Sequence, residues 1–304
     1  MFKNLNLDKI FQPLLIILAF LMPLTVFGGN LIIVIICILW LFSGSYKYKF
    51  DQIINNKLIL ASILFYCLHV VGLLWTEDLA WGLHILHKMW YFIGLFPILF
   101  TIVRKDYIVY YISAFLLAIS FTELFSYLVW FEIIGPFKNA TVINPTPFMS
   151  HISYNPILAF AIYLVLHQII FNKSLKNIVF SFYCFFAFTM TINMFITGGR
   201  AGQVMFFVML AILIFQCFNN QKVKSLFIIV LVMPGIFYSA YLTSDLFQQR
   251  VDDAIKSVIF YPENKQTPVG QRLTFSINSW YLVKENPVIG IGTGDFPTEY
   301  KKIN

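Results

Sequence analysis

Nine apolar runs follow one another along the first 243 residues, near positions 10–27, 30–43, 58–75, 89–103, 107–134, 156–171, 178–196, 203–218 and 225–243. A helix needs about 20 predominantly apolar residues to cross the hydrocarbon layer, because its backbone N–H and C=O groups must all be paired in lipid. Most of the runs approach that length. The expected fold class is therefore all-α, a polytopic transmembrane helical protein of about nine spans. Composition agrees: 12% of the residues are charged, against roughly a quarter in a soluble domain, while 59% are hydrophobic and the mean hydropathy is +0.78.

Several classes are excluded at this level. The formal charge of +7 is scattered between apolar runs and forms no continuous basic face, so nucleic acid is not an expected partner. Cys37, Cys67, Cys184 and Cys217 lie inside apolar stretches without metal-ligand spacing, and read as small core residues. Lys3 and Lys9 precede the first run as in a signal peptide, but no small-residue cleavage site follows, which favours an uncleaved first helix.

The second run is short for a full crossing and is compatible with one half of a helical hairpin turning at Gly28-Gly29-Asn30. Loop charge tests the alternative. With nine crossings and the N-terminus inside, the cytoplasmic segments hold Lys3, Lys9, Lys47, Lys49, Lys57, Arg104, Lys105, Lys173, Lys176, Lys222 and Lys224, while the short outer loops hold only Lys88, Lys138 and Arg200. The positive-inside rule favours this arrangement. Residues 1–243 then form the transmembrane domain and residues 244–304 an extracytoplasmic loop region.

Within that region Val251, Ala254, Ile255, Val258 and Ile259 repeat at helical spacing opposite Asp252, Asp253 and Lys256, which predicts an amphipathic helix on the membrane face ending at Tyr261-Pro262-Glu263-Asn264. A second helix is expected from about Gln271 to Lys284, with Leu273, Ile277, Trp280 and Tyr281 on one face, Arg272 in its first turn and Asn286-Pro287 as its stop. The glycines of Val288-Ile289-Gly290-Ile291-Gly292-Thr293-Gly294-Asp295-Phe296 bring backbone N–H groups into reach of a phosphate. A dinucleotide site also needs a preceding strand and a following helix, and Pro297 argues against the helix, so a bare Gly-rich turn is the better reading.

Chemistry-bearing residues are few. Arg200, in Thr197-Gly198-Gly199-Arg200-Ala201-Gly202 at an outer span junction, either meets an anion or snorkels to lipid headgroups. A second outer guanidinium, Arg272, tips the balance toward a shared anion, since planar guanidinium groups suit pyrophosphate oxygens. Glu123, inside the fifth span, is either functional or a carboxylic acid bonded to a neighbouring helix. His151, in Phe148-Met149-Ser150-His151-Ile152-Ser153-Tyr154-Asn155-Pro156, enters the sixth span among polar groups suited to a sugar cavity, or simply caps the helix. His84 and His87 beside Glu77 and Asp78 match no strong metal motif, and Trp81 and Trp90 mark that segment as interfacial. His69 and His167 lack companions. No metal is expected.

The Thr197–Gly202 turn opening a span, then Gly270-Gln271-Arg272, the Trp280 helix and Asn286-Pro287-Val288-Ile289-Gly290-Ile291-Gly292-Thr293-Gly294-Asp295-Phe296, resembles the O-antigen ligase and O-antigen polymerase superfamily over about residues 197–296. The resemblance implies a GT-C-like membrane fold with about a dozen helices, no nucleotide sugar, no cofactor and no required metal. It implies transfer of a glycan from undecaprenyl pyrophosphate to an acceptor hydroxyl of a glycolipid, glycan or protein, at the outer face of the bacterial inner membrane, as in lipopolysaccharide and cell-envelope biosynthesis. Arg200 and Arg272 match the family's two arginines and would hold the pyrophosphate. Glu123, His151 and Asp295 are secondary site candidates. The family's catalytic histidine follows the Gly-rich turn, whereas here no histidine follows His167 and the sequence stops at Asn304 before further spans, so the base expected for the acceptor hydroxyl is missing and the sequence reads as a fragment or an inactive truncated relative. Competing functions are a transporter or flippase of lipid-linked sugars, against which no convincing internal repeat is visible, and a membrane scaffold without chemistry.

Overall fold

The computed structural model describes residues 7–141 and 143–303, so Lys3 and Asn304 of the sequence reading lie outside the described residues. Among those residues every regular element is helical and no strand occurs. The helices are α1 (Leu7–Leu21), α2 (Val26–Phe42), α3 (Tyr46–Asn55), α4 (Lys57–Val71), α5 (Leu79–Lys88), α6 (Leu95–Ile102), α7 (Ile108–Trp130), α8 (His151–Phe171), α9 (Asn177–Ile196), α10 (Arg200–Cys217), α11 (Lys222–Thr243), α12 (Asp245–Ile259), α13 (Pro268–Glu285) and α14 (Phe296–Ile303).

The structure holds six to eight candidate spans where the apolar runs predict about nine, and the first run, 10–27, covers α1, a break and the start of α2. Six helices are long and apolar enough to cross a membrane: Lys57–Trp75, Lys105–Trp130, His151–Phe171, Asn177–Ile196, Arg200–Cys217 and Lys222–Thr243. The number rises to eight if two bent pairs each count as one span, Val26–Phe42 with Tyr46–Asn55 (116°) and Leu79–Lys88 with Trp90–Ile102 (52°); Lys9–Leu21 is a shorter apolar helix. The chain is a polytopic helical membrane protein.

The break between the first two runs differs from the expected Gly28-Gly29-Asn30 turn. Those residues are helical in α2, and the chain breaks at Met22–Thr25 instead. Pro23 lacks the N–H that would continue α1, and the Thr25 hydroxyl oxygen accepts the Gly28 N–H at 3.3 Å to start α2. The bend after α2 comes at Gly44 (φ 69°) and Ser45 (φ 53°), both left-handed. There the Lys49 ammonium lies 4.7 Å from the Trp40 ring centroid and bonds the Ser43 hydroxyl, so its stem is buried while its charge is satisfied.

The chain forms two compact units. One comprises the described residues of Met1–Leu14, Ile33–Lys105 and Ala254–Asn304, the other Leu15–Ile32 and Asp106–Asp253. In the second unit α7, α8, α9 and α10 share a core of Leu116, Ile119, Leu158, Ile162, Val165, Met190, Met194 and Phe206. In the first, the Gln12 amide donates to Ile102 O at 3.0 Å and the Trp40 indole to the Thr101 hydroxyl at 2.8 Å.

The amphipathic helices are present. On α12 Ile255, Val258 and Ile259 are exposed, as an interfacial helix requires. Helix α13 starts at Pro268, three residues before the expected Gln271, because the Thr267 hydroxyl caps the Gly270 N–H at 3.0 Å and proline is accepted at the first helical position. Arg272 therefore stands in the second turn. The buried side of α13 carries Gly270, Asn278 and Leu282, whereas Ile277, Trp280 and Tyr281 of the predicted face are exposed. A helix does follow the Gly-rich turn: Pro297 is the second residue of α14, where the missing N–H costs nothing.

The Gly-rich turn docks by backbone onto the segment between α4 and α5. Thr293 N–H donates to Gly72 O at 3.2 Å, the Thr293 hydroxyl to His69 O at 2.8 Å, and Asp295 Oδ1 accepts the Glu77 and Asp78 N–H groups, each at 2.9 Å. A Cβ on Gly294 would lie 2.1 Å from Asp78 O. Gly294→Ala is therefore expected to cost about 1–3 kcal/mol and to lower the apparent Tm in detergent. Gly235→Ala, with nothing within 4 Å of its Cβ, is expected to leave the Tm unchanged or higher.

Candidate functional site

Thr197-Gly198-Gly199 joins α9 to α10 in the second unit, and buried polar groups fix its path. Asn155, on α8 and fully buried, donates from Nδ2 to Met194 O and Gly199 O, both at 3.4 Å, and its Oδ1 accepts the Thr197 hydroxyl at 2.8 Å. The Gln203 amide donates to Thr197 O at 3.3 Å, and Asn144 Oδ1 accepts the Gly198 N–H at 2.9 Å. A Cβ on Gly202 would lie 2.2 Å from Asn155 Cβ, and one on Gly199 would lie 2.6 Å from His151 O. Only glycine permits this approach of α8 to α10, which sets the two helix starts side by side.

Arg200 is the first residue of α10 and His151 the first residue of α8; both are half-buried. The starts of two helices of 18 and 21 residues place the positive ends of their dipoles here, a setting that favours negative charge. The sequence expectation started these helices at 203 and 156. Their first turns are polar, so an apolar-run criterion starts late, and the shift makes Arg200 and His151 helical rather than loop residues.

A third group at this end was not singled out from the sequence. The Ser244 hydroxyl donates to Phe195 O at 2.9 Å, and Phe247, nearly fully buried, packs on Phe195 and Phe237 at 5.1 and 5.2 Å between centroids. Arg250 follows one turn later on α12. Its Nη2 comes within 3.5 Å of the position of a Cβ on Gly198, and its charge acts on His151. The spacing of Phe247, Arg250 and Val251 at i, i+3 and i+4 was the available signal.

Glu123 lies deeper in the same unit and is buried. Its carboxyl oxygens make no hydrogen bond of good geometry, with Thr189, Tyr127 and Tyr154 as polar neighbours. One turn along α7, the Ser126 hydroxyl oxygen accepts from Asn193 Nδ2 at 2.9 Å, and Asn193 Oδ1 accepts the Tyr154 hydroxyl at 3.1 Å. These polar groups continue through Thr197 to Asn155, so Glu123 borders the network that holds the Arg200 turn without being hydrogen-bonded into it.

Arg272 and Asp295 belong to the other unit. Arg272 is exposed on α13, and Asp295 is buried, its Oδ1 taken by two backbone N–H groups. Glu77 and Asp78 supply those N–H groups, Asp78 also caps Trp81 N–H at 2.9 Å, and His84 packs 5.1 Å from the Trp81 ring. Among the described residues no three His, Cys, Asp or Glu side chains are placed to hold a metal ion.

Residues 185–304 match the family model for O-antigen ligase. Over this segment the chain is similar to the O-antigen ligase family. The matched residues contain the Thr197–Gly202 turn, Arg200, Arg250, Arg272 and the Gly-rich turn. No curated protein and no solved structure matches.

Asn155→Leu removes three hydrogen bonds while keeping side-chain volume. The expected cost is about 1–3 kcal/mol, read as a lower apparent Tm in detergent, together with increased mobility of a spin label placed near the α10 start. A variant as stable and as ordered there as the parent would show that the amide does not hold the turn.

Proposed function

We propose that this protein transfers a glycan from undecaprenyl pyrophosphate to an acceptor hydroxyl, by ligation or polymerisation, at the outer face of the bacterial inner membrane. What carries the reading is Arg200 at the start of α10, within the segment that matches the O-antigen ligase family. In the reaction the acceptor oxygen bonds to the anomeric carbon, the bond from that carbon to the diphosphate oxygen breaks, and the lipid diphosphate leaves with the electron pair. The hydroxyl proton leaves to water. Negative charge builds on the leaving oxygens, where a guanidinium held in a water-poor site stabilises the transition state most. The same reading needs no nucleotide sugar and no metal, and Arg272 keeps the pyrophosphate-binding role that its match to the family implies.

Two further observations support it. An open groove of about 1160 Å³, lined by Trp130, Phe188, Ile192, Leu231, Ile236 and Ser239, reaches Ile196, Ser244 and Gln249 beside the turn, and suits a long apolar chain. The opposite ends of α8 to α11 carry Lys173, Lys176, Lys222 and Lys224, and by the positive-inside rule this supports an outer position for the Arg200 end. Acceptors of this class are glycolipids, glycans or proteins carrying a free hydroxyl.

The test is transfer by the protein reconstituted with undecaprenyl-pyrophosphate-linked glycan and an acceptor. Arg200→Ala is expected to lower turnover about 100-fold or more, and Arg200→Lys to recover only part, because an ammonium does not make the paired contacts of a guanidinium. If Arg200→Ala transfers glycan at the parent rate, the reading fails. If the parent instead moves lipid-linked sugar across the bilayer without transferring it, the transporter alternative takes its place.

A further inference from the structure

We infer that Arg250 is a second anion-binding guanidinium of the Arg200 site, placed by α12 to hold one phosphate of a diphosphate ester while Arg200 meets the other. The inference rests on the transfer reading above and deepens it, by naming a group that neither the sequence pattern nor the family match singles out.

The geometry is local to one compact unit. Helix α12 follows α11 with only Ser244 between them, and its first turn is pinned to the end of α9: Ser244 bonds Phe195 O and also caps Phe247 N–H at 3.2 Å, while Phe247 fills the space between Phe195 and Phe237. One turn on, the Tyr241 hydroxyl donates to Asp252 Oδ1 at 2.8 Å, tying α12 back to α11. Between these anchors Arg250 projects to Gly198, the residue two before Arg200. Asn144 and Asn155 already hold the Gly198 N–H and Gly199 O, so the guanidinium arrives at a turn whose backbone is fixed by other side chains. A diphosphate carries more charge and more acceptor oxygens than one guanidinium satisfies, and planar forks on two elements hold it in a defined orientation. The starts of α8 and α10 add their N–H dipoles at the same place.

A phospholipid headgroup offers one phosphate of the same chemistry, and the experiment separates the two sources. Titrate the full chain, in nanodiscs of phosphatidylcholine and in nanodiscs containing phosphatidylglycerol, with farnesyl pyrophosphate, farnesyl monophosphate and farnesol. The parent is expected to prefer the pyrophosphate. Arg250→Gln is expected to weaken pyrophosphate binding about tenfold or more and the monophosphate much less, with Arg250→Lys intermediate. Arg200→Gln is expected to weaken both, and the double variant to show less than the product of the single effects. Arg250→Met keeps the packing of the stem and decides the matter if Arg250→Gln does not yield a monodisperse protein. Parent-like pyrophosphate binding by the Arg250 variants, with weakened binding in Arg200→Gln, overturns the role of Arg250 and leaves the transfer reading standing. An Arg250 effect confined to discs with phosphatidylglycerol assigns the guanidinium to headgroups and also overturns it. A parent that binds farnesyl pyrophosphate no better than farnesol sinks the transfer reading, and this inference with it.

Discussion

The buried amide of Asn155 is the contact on which the Arg200 end of the second unit depends. In a bundle whose outer surface meets lipid, a polar side chain in the interior has no water to fall back on and must find partners among neighbouring helices. Asn155 finds them in Met194 O at the end of α9, the Thr197 hydroxyl in the turn and Gly199 O at the edge of α10. One side chain thus ties together three consecutive pieces of chain.

Energetics assigns this network a positioning role rather than a stabilising one. An interhelical hydrogen bond within a membrane bundle contributes about 0.6 kcal/mol on average, so the whole set around Asn155 and Asn193 is worth less than the packing of two or three large side chains such as Leu158, Ile162 and Met190, all buried in the shared core. Packing holds α7 to α10 together, but apolar contacts are tolerant of sliding. Hydrogen bonds to Thr197, Gly198 and Gly199 are not, and they remove the freedom that paired glycines would otherwise give the turn.

Helix existence was legible because lipid imposes one strong rule, length of apolar run, and most runs coincide with a helix or a bent pair. What that rule misreads are polar helical turns. His151 to Asn155 and Arg200 to Gly202 are helical yet polar, so the starts of α8 and α10 fall outside the apolar runs, and the residues of greatest chemical interest sit there. Glycine and proline misled for a related reason: Gly28-Gly29 suggests a turn where α2 continues, and Pro297 suggests the absence of a helix in which it occupies the second position. Arg250 was hidden because the amphipathic pattern of α12 reads cleanly from Val251 onward, while its anchor, Phe247, lies before that pattern begins.

The two Gly-rich turns illustrate how similar composition serves opposite ends. In the turn that carries Gly290 to Asp295, polar groups close on the protein itself: Thr293 and Asp295 engage backbone of the segment near Gly72 to Asp78, and a carboxylate oxygen that already accepts two N–H groups has little left for a ligand. In the turn that carries Thr197 to Gly202, the polar groups that close inward come from elsewhere, Asn144, Asn155 and Gln203, and they satisfy the backbone of the turn from behind. The backbone that carries Arg200 is thus held by side chains from other parts of the chain. A guanidinium whose position is set by other residues is preorganised, and preorganisation is what lets a fixed charge stabilise a leaving group without being rearranged first. On that argument the Gly290–Asp295 turn is architectural, as the reading of it as a bare Gly-rich turn expects, and the Thr197–Gly202 turn is the one that fits the proposed chemistry.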